Sequence, residues 1–169
     1  QRDLSGHAAR PGKRLKRLTK STLDPEFEEL RYAYSQGAFS PDGRYFAFTA
    51  QRKGKDVLYI YDIRRERVAR RLDTPLQAML GPSWSPDGRF IVWSSDRAED
   101  RLDLWIRDMT TGESRRLTQT ANSAMGAAWS PDGARIAFLE VDGVWRRANV
   151  SVVDVATGRV TQVLASSFG

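Results

Sequence analysis

The chain has 169 residues, of which 40% are hydrophobic and 28% charged, a size and composition that fit one globular domain and argue against wholesale disorder. It contains no cysteine, which excludes a disulfide scaffold, a thiolate metal site and a cysteine nucleophile. No apolar run reaches the about 18 residues of a membrane-spanning helix, and no basic and then apolar leader opens the chain, so we expect no membrane insertion.

The net charge of +6 is concentrated at the start of the chain. Residues 1–20 carry seven basic side chains and one acidic, whereas residues 21–169 carry 20 of each sign. Short basic stretches are typically solvated tails, so residues 1–12 are predicted to be a flexible tail and nucleic acid is not an expected partner. Binding of acidic polymers by residues 10–20 is a weaker alternative. The single histidine, His7, lies in this tail, which is a poor place for a catalytic imidazole.

Residues 13–36 precede the repeated part of the chain. Arg17-Leu18-Thr19 matches Arg116-Leu117-Thr118 further along, so residues 13–20 are predicted to be an outer strand whose own sheet is missing. Residues 21–36 are predicted to be an insertion with a short helix over 25–31. Asp24, Pro25 and Glu26 supply a helix cap, a first-turn proline and an early acidic residue.

A four-residue motif recurs at a spacing of 45 residues. Its copies are Ser40-Pro41-Asp42-Gly43, Ser85-Pro86-Asp87-Gly88 and Ser130-Pro131-Asp132-Gly133. These residue types form tight turns, and alternating apolar residues follow each copy, so each motif is predicted to join two antiparallel strands. Two more strands complete each repeat, at 57–61 and 68–72, at 102–106 and 114–117, and at 150–153 and 160–164.

Four short strands per repeat are typical of a β-propeller blade. The predicted fold class is therefore all-β, with three complete blades of four antiparallel strands and one leading outer strand, together a partial propeller. Blade 1 covers 37–80, blade 2 covers 81–125 and blade 3 covers 126–169. Four tryptophans fall at strand positions and are predicted to pack in the core or between blades: Trp84, Trp93, Trp105 and Trp129.

These repeats resemble those of TolB-like propellers. The resemblance rests on the Ser-Pro-Asp-Gly motifs with their preceding aromatic residues, on the Ile-x-Phe or Ile-x-Trp that follows, and on the closing Arg116-Leu117-Thr118. The preceding aromatic residues are Phe39, Trp84 and Trp129. Similar blades occur in the propellers of prolyl oligopeptidase-type serine peptidases. The resemblance covers about residues 37–168. It implies a role in protein assemblies of the cell envelope and a periplasmic or secreted location.

Three blades do not close a ring, because propellers usually contain about four to eight. The exposed flanks of a three-bladed wedge would be apolar patches of the kind that mark an interface. We therefore expect either a fragment of a longer protein or self-association. Two copies would supply six blades, and residues 13–20 could add to the sheet of the partner.

The sequence contains no recognisable catalytic or metal-binding constellation. Asp42, Asp87 and Asp132 are interpreted as turn formers, because each lies within a turn motif. The acidic cluster of Glu99, Asp100 and Asp103 lacks the glycine and terminal acid of a calcium loop and is interpreted as a solvated loop. No cofactor, metal site or enzymatic activity is predicted.

The longer loops lie at the blade edge opposite the Asp-Gly turns, and binding residues concentrate on loops held by a rigid scaffold. Arginine and tryptophan are typical interface anchors. The predicted partner-binding residues, which include two tyrosines of the insertion, are Tyr32, Tyr34, Arg52, Lys53, Arg97, Trp145, Arg146 and Arg147. The predicted function is a non-enzymatic scaffold that binds a protein or peptide. The alternative is the accessory propeller of a larger serine hydrolase or peptidase, which gates or positions substrate.

Overall fold

The computed structural model describes residues 37–72, 74, 78–96, 101–142 and 147–165, together with the backbone of residues 29–30. This part of the chain forms three antiparallel sheets and no helix, which confirms the predicted all-β fold class. The predicted tail at 1–12 and the predicted outer strand at 13–20 lie outside the described residues.

Each blade is one sheet whose strands lie side by side in sequence order. The exception is blade 1, in which the first two short strands both pair with the third strand. The sheet of blade 1 contains β1 (Glu29–Leu30), β2 (Ala38–Phe39), β3 (Tyr45–Arg52), β4 (Lys55–Asp62) and β5 (Arg67–Leu72), of which β1 precedes residue 37, the predicted start of the blade. Blade 2 contains β6 (Met79–Trp84), β7 (Phe90–Asp96), β8 (Leu102–Asp108) and β9 (Ser114–Arg116). Blade 3 contains β10 (Ser123–Trp129), β11 (Arg135–Val141), β12 (Ala148–Asp154) and β13 (Val160–Leu164).

The short helix predicted over 25–31 is wrong at the two residues of it that the structure describes. Glu29 and Leu30 form β1, which pairs with Gln51 and Ala50 at the end of β3. The two-residue strand β2 pairs only with the beginning of β3, at Phe46 and Ala47. Pairing with β1 therefore satisfies main-chain groups of β3 that β2 does not reach. In blades 2 and 3, one longer first strand covers this edge.

The Ser-Pro-Asp-Gly motifs form the predicted tight turns between the first two main strands of each blade. In blade 2, the hydroxyl of Ser85 donates to Asp87 Oδ1 at 2.5 Å and accepts the amide of Phe90 at 2.8 Å. Gly88 adopts a φ of 71°, in the left-handed region that favours glycine. The other two turns repeat these bonds. One turn geometry therefore recurs at the 45-residue period of the sequence.

Each blade packs against the next through two apolar faces, which form the core. The leading face of blade 1 consists of Ala47, Leu58, Ile60 and Leu72, and it packs on the trailing face of blade 2, which consists of Trp84, Ile91 and Trp93. The leading face of blade 2 consists of Val92, Leu104, Ile106 and Leu117, and it packs on the trailing face of blade 3, which consists of Trp129, Ile136 and Phe138. The prediction that the strand tryptophans pack within and between blades is confirmed.

Hydrogen bonds join neighbouring blades at two repeat-equivalent positions. Arg70 Nη1 in β5 donates to the carbonyl oxygen of Met109 at 2.9 Å, and Arg115 Nη2 in β9 donates to that of Val155 at 2.5 Å. The indole of Trp129 also reaches back to the carbonyl oxygen of Ser83, at 3.2 Å. An arginine in the outer strand of one blade is thus hydrogen-bonded to the turn that precedes the outer strand of the next blade.

Candidate functional site

Two rows of aspartates line the blade edge that carries the tight turns. In the first row, the pKa values of Asp42, Asp87 and Asp132 are lowered, chiefly by the hydroxyl of the serine two residues earlier and then by a backbone amide of the same turn. These carboxylates therefore serve as hydrogen-bond acceptors of the turns, which confirms their interpretation as turn formers. Among the described residues, no group of three acidic or histidine side chains is placed to hold a metal ion.

The second row is formed by Asp62, Asp108 and Asp154 at the ends of the third main strands. Their pKa values are also lowered. The largest cause is the backbone amide of Arg65 for Asp62, the guanidinium of Arg89 for Asp108 and the hydroxyl of Thr157 for Asp154. These carboxylates also accept hydrogen bonds from backbone amides of the turns that follow them.

Grooves open on this edge of the blades. The groove between blades 1 and 2 has a volume of about 280 Å³ and presents Tyr45, Trp84, Met109 and Arg70. A second, more open groove of about 530 Å³ borders the leading face of blade 2. It presents Phe90 and Arg115, which are the repeat equivalents of Tyr45 and Arg70. An aromatic ring and an arginine thus recur in each groove, a combination suited to contacts with a protein partner.

The opposite edge carries loops that contain predicted partner-binding residues. Arg52 and Lys53 lie in the β3–β4 turn, where Lys53 and Gly54 both have positive φ angles, of 52° and 74°. This pair of angles is typical of a tight hairpin turn, and it leaves the side chain of Lys53 exposed. Arg147 is also exposed and precedes β12, at the equivalent hairpin of blade 3.

The structure therefore places Arg52 and Lys53 in one hairpin and Arg147 at the same edge of another blade. The remaining nominated residues lie outside the described part of the chain: Tyr32, Tyr34, Arg97, Trp145 and Arg146. Their contribution to a binding surface stays a prediction.

One member of the predicted solvated acidic cluster is buried. Asp103 is 0% exposed and lies in β8, where its carboxylate accepts the hydroxyl of Thr118 at 3.3 Å and lies 3.7 Å from Arg116 Nη1. The solvated-loop interpretation is therefore wrong for Asp103, because these two groups compensate its charge in the interior. Glu99 and Asp100 lie outside the described residues.

Sequence reasoning also missed the inter-blade role of Arg70 and Arg115. The signal was present, because the two arginines are 45 residues apart, the same period as the turn motifs. The acceptor of each bond is a main-chain carbonyl, which carries no side-chain signature. Only the packing of one blade on the next could therefore identify the pair.

The blade repeat and its turn geometry agree with a family comparison. Residues 18–169 match the family described as the TolB beta propeller domain. The chain belongs to this family. The predicted TolB-like resemblance is thereby confirmed. A sequence comparison with curated proteins gives no significant match.

Solved structures place the TolB-like blades within larger proteins. The chain superposes on TolB from Acinetobacter baumannii with a TM-score of 0.68 at 26% identity, covering 84% of this chain and 34% of that one. A protein from Agrobacterium tumefaciens assigned as TolB superposes with a TM-score of 0.66 at 23% identity, covering 79% of this chain and 52% of that one. Hydrazine synthase from Kuenenia stuttgartiensis superposes with a TM-score of 0.64 at 20% identity, covering 77% of this chain and 36% of that one. The chain spans about a third to a half of the length of these proteins.

The two similarities below 25% identity demonstrate a shared fold alone. In the described part of the TolB-like chain, no helix has the length and apolar character required to cross a membrane.

Proposed function

We propose that this TolB-like propeller segment is a non-enzymatic scaffold that binds a protein or peptide partner. The observation that carries the proposal is an exposed basic residue at the same edge of two blades, in a chain whose neighbouring blades pack on one another. Lys53 in blade 1 and Arg147 in blade 3 extend from the same edge of their sheets. Rigid scaffolds with charged loop tips bind at low entropic cost, because little has to be ordered on association.

Selection of peptides from a displayed library against the immobilised chain tests this proposal. We expect enriched peptides whose affinity falls about tenfold in the variant Arg52→Ala/Lys53→Ala, as expected for lost interface anchors. The matched control is Arg135→Ala/Arg159→Ala, which removes two exposed arginines from the opposite edge of blade 3. Failure to enrich any peptide, or an equal loss in the control variant, would overturn the proposal.

We also propose that two copies of this chain associate through exposed apolar side chains of their end blades. The leading face of blade 3 consists of Ala137, Val150, Val152 and Leu164, at the repeat positions that pack on the next blade within the chain. The trailing face of blade 1 carries Phe39, Phe46 and Phe48, together with a cluster of Ala50, Val57 and Tyr59 that is already buried. Leu164 is 62% and Phe39 is 64% exposed. Continuation of the internal packing between copies would bury these exposed side chains and give six blades.

Cross-linking of introduced cysteines tests which faces meet. Phe39 and Val152 are the repeat equivalents of Trp84 and Ile60, which belong to one core cluster at the interface of blades 1 and 2. The chain has no native cysteine, so a mixture of Phe39→Cys and Val152→Cys chains should form a disulfide-linked pair under oxidation. Arg159→Cys replaces Val152→Cys as the control. Equal linkage with the control would refute this pairing of faces.

The alternative function, an accessory propeller of a larger serine hydrolase, stays a prediction. A catalytic domain with a nucleophile-elbow motif in the same reading frame would establish it. The blade repeat itself is shared by both functions and does not favour either one.

A further inference from the structure

The positive charge of the blades is unevenly distributed. Residues 37–80 contain nine basic and five acidic side chains, whereas 81–125 contain six basic and seven acidic, and 126–169 contain four of each. Blade 1 is therefore strongly cationic although the three blades share one fold. A charge excess of this kind raises the local concentration of anionic partners and speeds their association.

The cationic side chains of blade 1 gather on its outer strand and on the turn that precedes it. Five of the eight residues from 64 to 71 are arginines, and all five side chains are exposed: Arg64, Arg65, Arg67, Arg70 and Arg71. We call these five residues the arginine edge. Two acidic side chains lie between residues 62 and 71. Asp62 is 1% exposed and accepts the backbone amides of Arg64 and Arg65, so its charge is directed inwards. Glu66 is exposed, so the arginine edge presents five positive charges and one negative charge to solvent.

The other two blades provide an internal comparison for this strand. β9 and β13 occupy the same outer position as β5. β9 contains two arginines, of which Arg116 faces the buried Asp103, while β13 contains none and exposes Val163 and Leu164. Charged residues are often used to prevent edge-to-edge aggregation of sheets. That role would apply equally to β13, so protection of an edge does not explain five arginines on blade 1.

We infer that the arginine edge binds an extended acidic peptide segment of a protein partner. This inference rests on the proposed function and names the partner's chemistry. Guanidinium groups bind carboxylates through paired, charge-assisted hydrogen bonds. In the described part of the chain, β5 is the outermost strand of its sheet, so its main chain can also contact a peptide running alongside. Main-chain pairing favours a peptide over a phosphate polymer, which has no amide groups to match.

The dimensions of the edge fit a short peptide. β5 has six residues, which span about 20 Å in an extended strand. Arg70 uses Nη1 to hold the carbonyl oxygen of Met109, so its position is fixed relative to blade 2. Arg67 and Arg71 form no side-chain hydrogen bond or ion pair with other described residues, and their guanidinium groups can reorient towards a ligand.

Fluorescence anisotropy with a labelled peptide of alternating glutamate and threonine, about twelve residues long to exceed the span of β5, tests the inference. The full chain is compared with Arg67→Glu/Arg71→Glu and with Arg135→Glu/Arg159→Glu, which makes the same charge change on blade 3. At about 50 mM salt, we expect about a tenfold loss of affinity in the first variant and less than a twofold loss in the second. The variant Arg67→Gln/Arg71→Gln should lie between wild type and the first variant.

Hydrogen exchange locates the bound peptide independently of the substitutions. We expect slower exchange of amides between residues 67 and 72 when the acidic peptide is bound, and no change with a lysine–threonine peptide. Equal losses in the two charge-reversal variants would overturn the inference, because binding would then follow net charge alone. Tighter binding of single-stranded DNA than of the peptide, with the same loss in Arg67→Glu/Arg71→Glu, would overturn it in favour of a phosphate polymer.

The inference and the proposed function can fail separately. Enriched library peptides that bind through Arg52 and Lys53 and carry no acidic residues would support the scaffold function and reject the acidic partner. An acidic peptide bound at the arginine edge would support both.

Discussion

At the scale of single residues, one serine hydroxyl organises each tight turn. Ser85 is 1% exposed and links the aspartate side chain of its turn to the first amide of the following strand. The hydroxyl donates to Asp87 and accepts from Phe90, so its removal leaves the Phe90 amide without this acceptor in a partly buried site. Asp87 Oδ1 then retains the hydrogen bond from the amide of Arg89. Such losses are more costly than an average exposed hydrogen bond.

We predict that Ser85→Ala lowers the free energy of unfolding by about 1–3 kcal/mol, measured by urea denaturation. Thr110→Ala is the control, because the Thr110 side chain is exposed and surface substitutions usually change stability by less than about 0.5 kcal/mol. Equal stability of the two variants would contradict the role assigned to the serine hydroxyl.

The turn aspartates make stability depend on acid pH. Six carboxylates have lowered pKa values in the folded chain, three in the tight turns and three in the outer turns. A lowered pKa means that the unfolded chain binds more protons near pH 4, so stability falls as the pH drops. The stabilisation is complete above the unfolded value of about 3.9 and is lost as the pH passes through the lower folded values.

We therefore expect the urea midpoint to be constant between about pH 7 and pH 5 and to fall steadily below about pH 4. Asp132→Asn should weaken this acid dependence, because it removes one of the six groups. A midpoint that already falls between about pH 7 and pH 5, or one that stays constant down to about pH 2.5, would contradict the prediction.

At the scale of strands, the sequence period predicts most of the fold because each blade repeats one pattern of turn and alternating apolar residues. The prediction fails at β1. In blade 1, the short strands β1 and β2 pair with different parts of β3, whereas a single first strand pairs along this edge in blades 2 and 3. No local pattern at Glu29 and Leu30 indicates that the end of β3 needs a partner. That requirement arises from pairing between distant segments, which a local reading of helix caps does not detect.

A glycine bulge in the first strands of blades 2 and 3 was also not predicted. Gly81 and Gly126 have φ angles of 56° and 67° where the pairing register shifts. A side chain at either position would meet no other atom within 4 Å, so the glycines are needed for their backbone conformation and not for space. The two glycines are 45 residues apart, and this spacing was the available signal.

We predict that Gly126→Val lowers the free energy of unfolding by about 1–2 kcal/mol, the cost of placing a β-branched residue in the left-handed region. Gly126→Asn should cost less, because asparagine tolerates this conformation better. The order of the two urea midpoints checks the reason for the glycine. A larger loss for asparagine than for valine would contradict it.

At the scale of the whole molecule, the sequence predicts the blades better than the binding surface. The partner-binding residues were nominated from loop length and residue type, and Arg52, Lys53 and Arg147 do lie at one edge of the sheets. The arginine edge was not predicted, because its residues occupy a regular strand and the turn before it, and because the net charge of residues 21–169 is zero. Its importance emerges only when the three outer strands are compared at equivalent positions.

Each blade packs its leading face on the trailing face of the next, and the proposed association extends this packing to the end blades of two copies. Burial of an apolar side chain contributes about 1.5–3 kcal/mol, so the exposed Phe39 and Leu164 favour association. Val152→Arg places a charge in the leading face of blade 3, whereas Ala156→Arg places it in an exposed turn of the same blade.

Light scattering coupled to size-exclusion chromatography measures this association most directly. We predict a molar mass of two chains for the wild type and for Ala156→Arg, and of one chain for Val152→Arg. A wild-type chain that remains monomeric and folded up to about 100 μM, a concentration at which micromolar contacts are occupied, would contradict the claim.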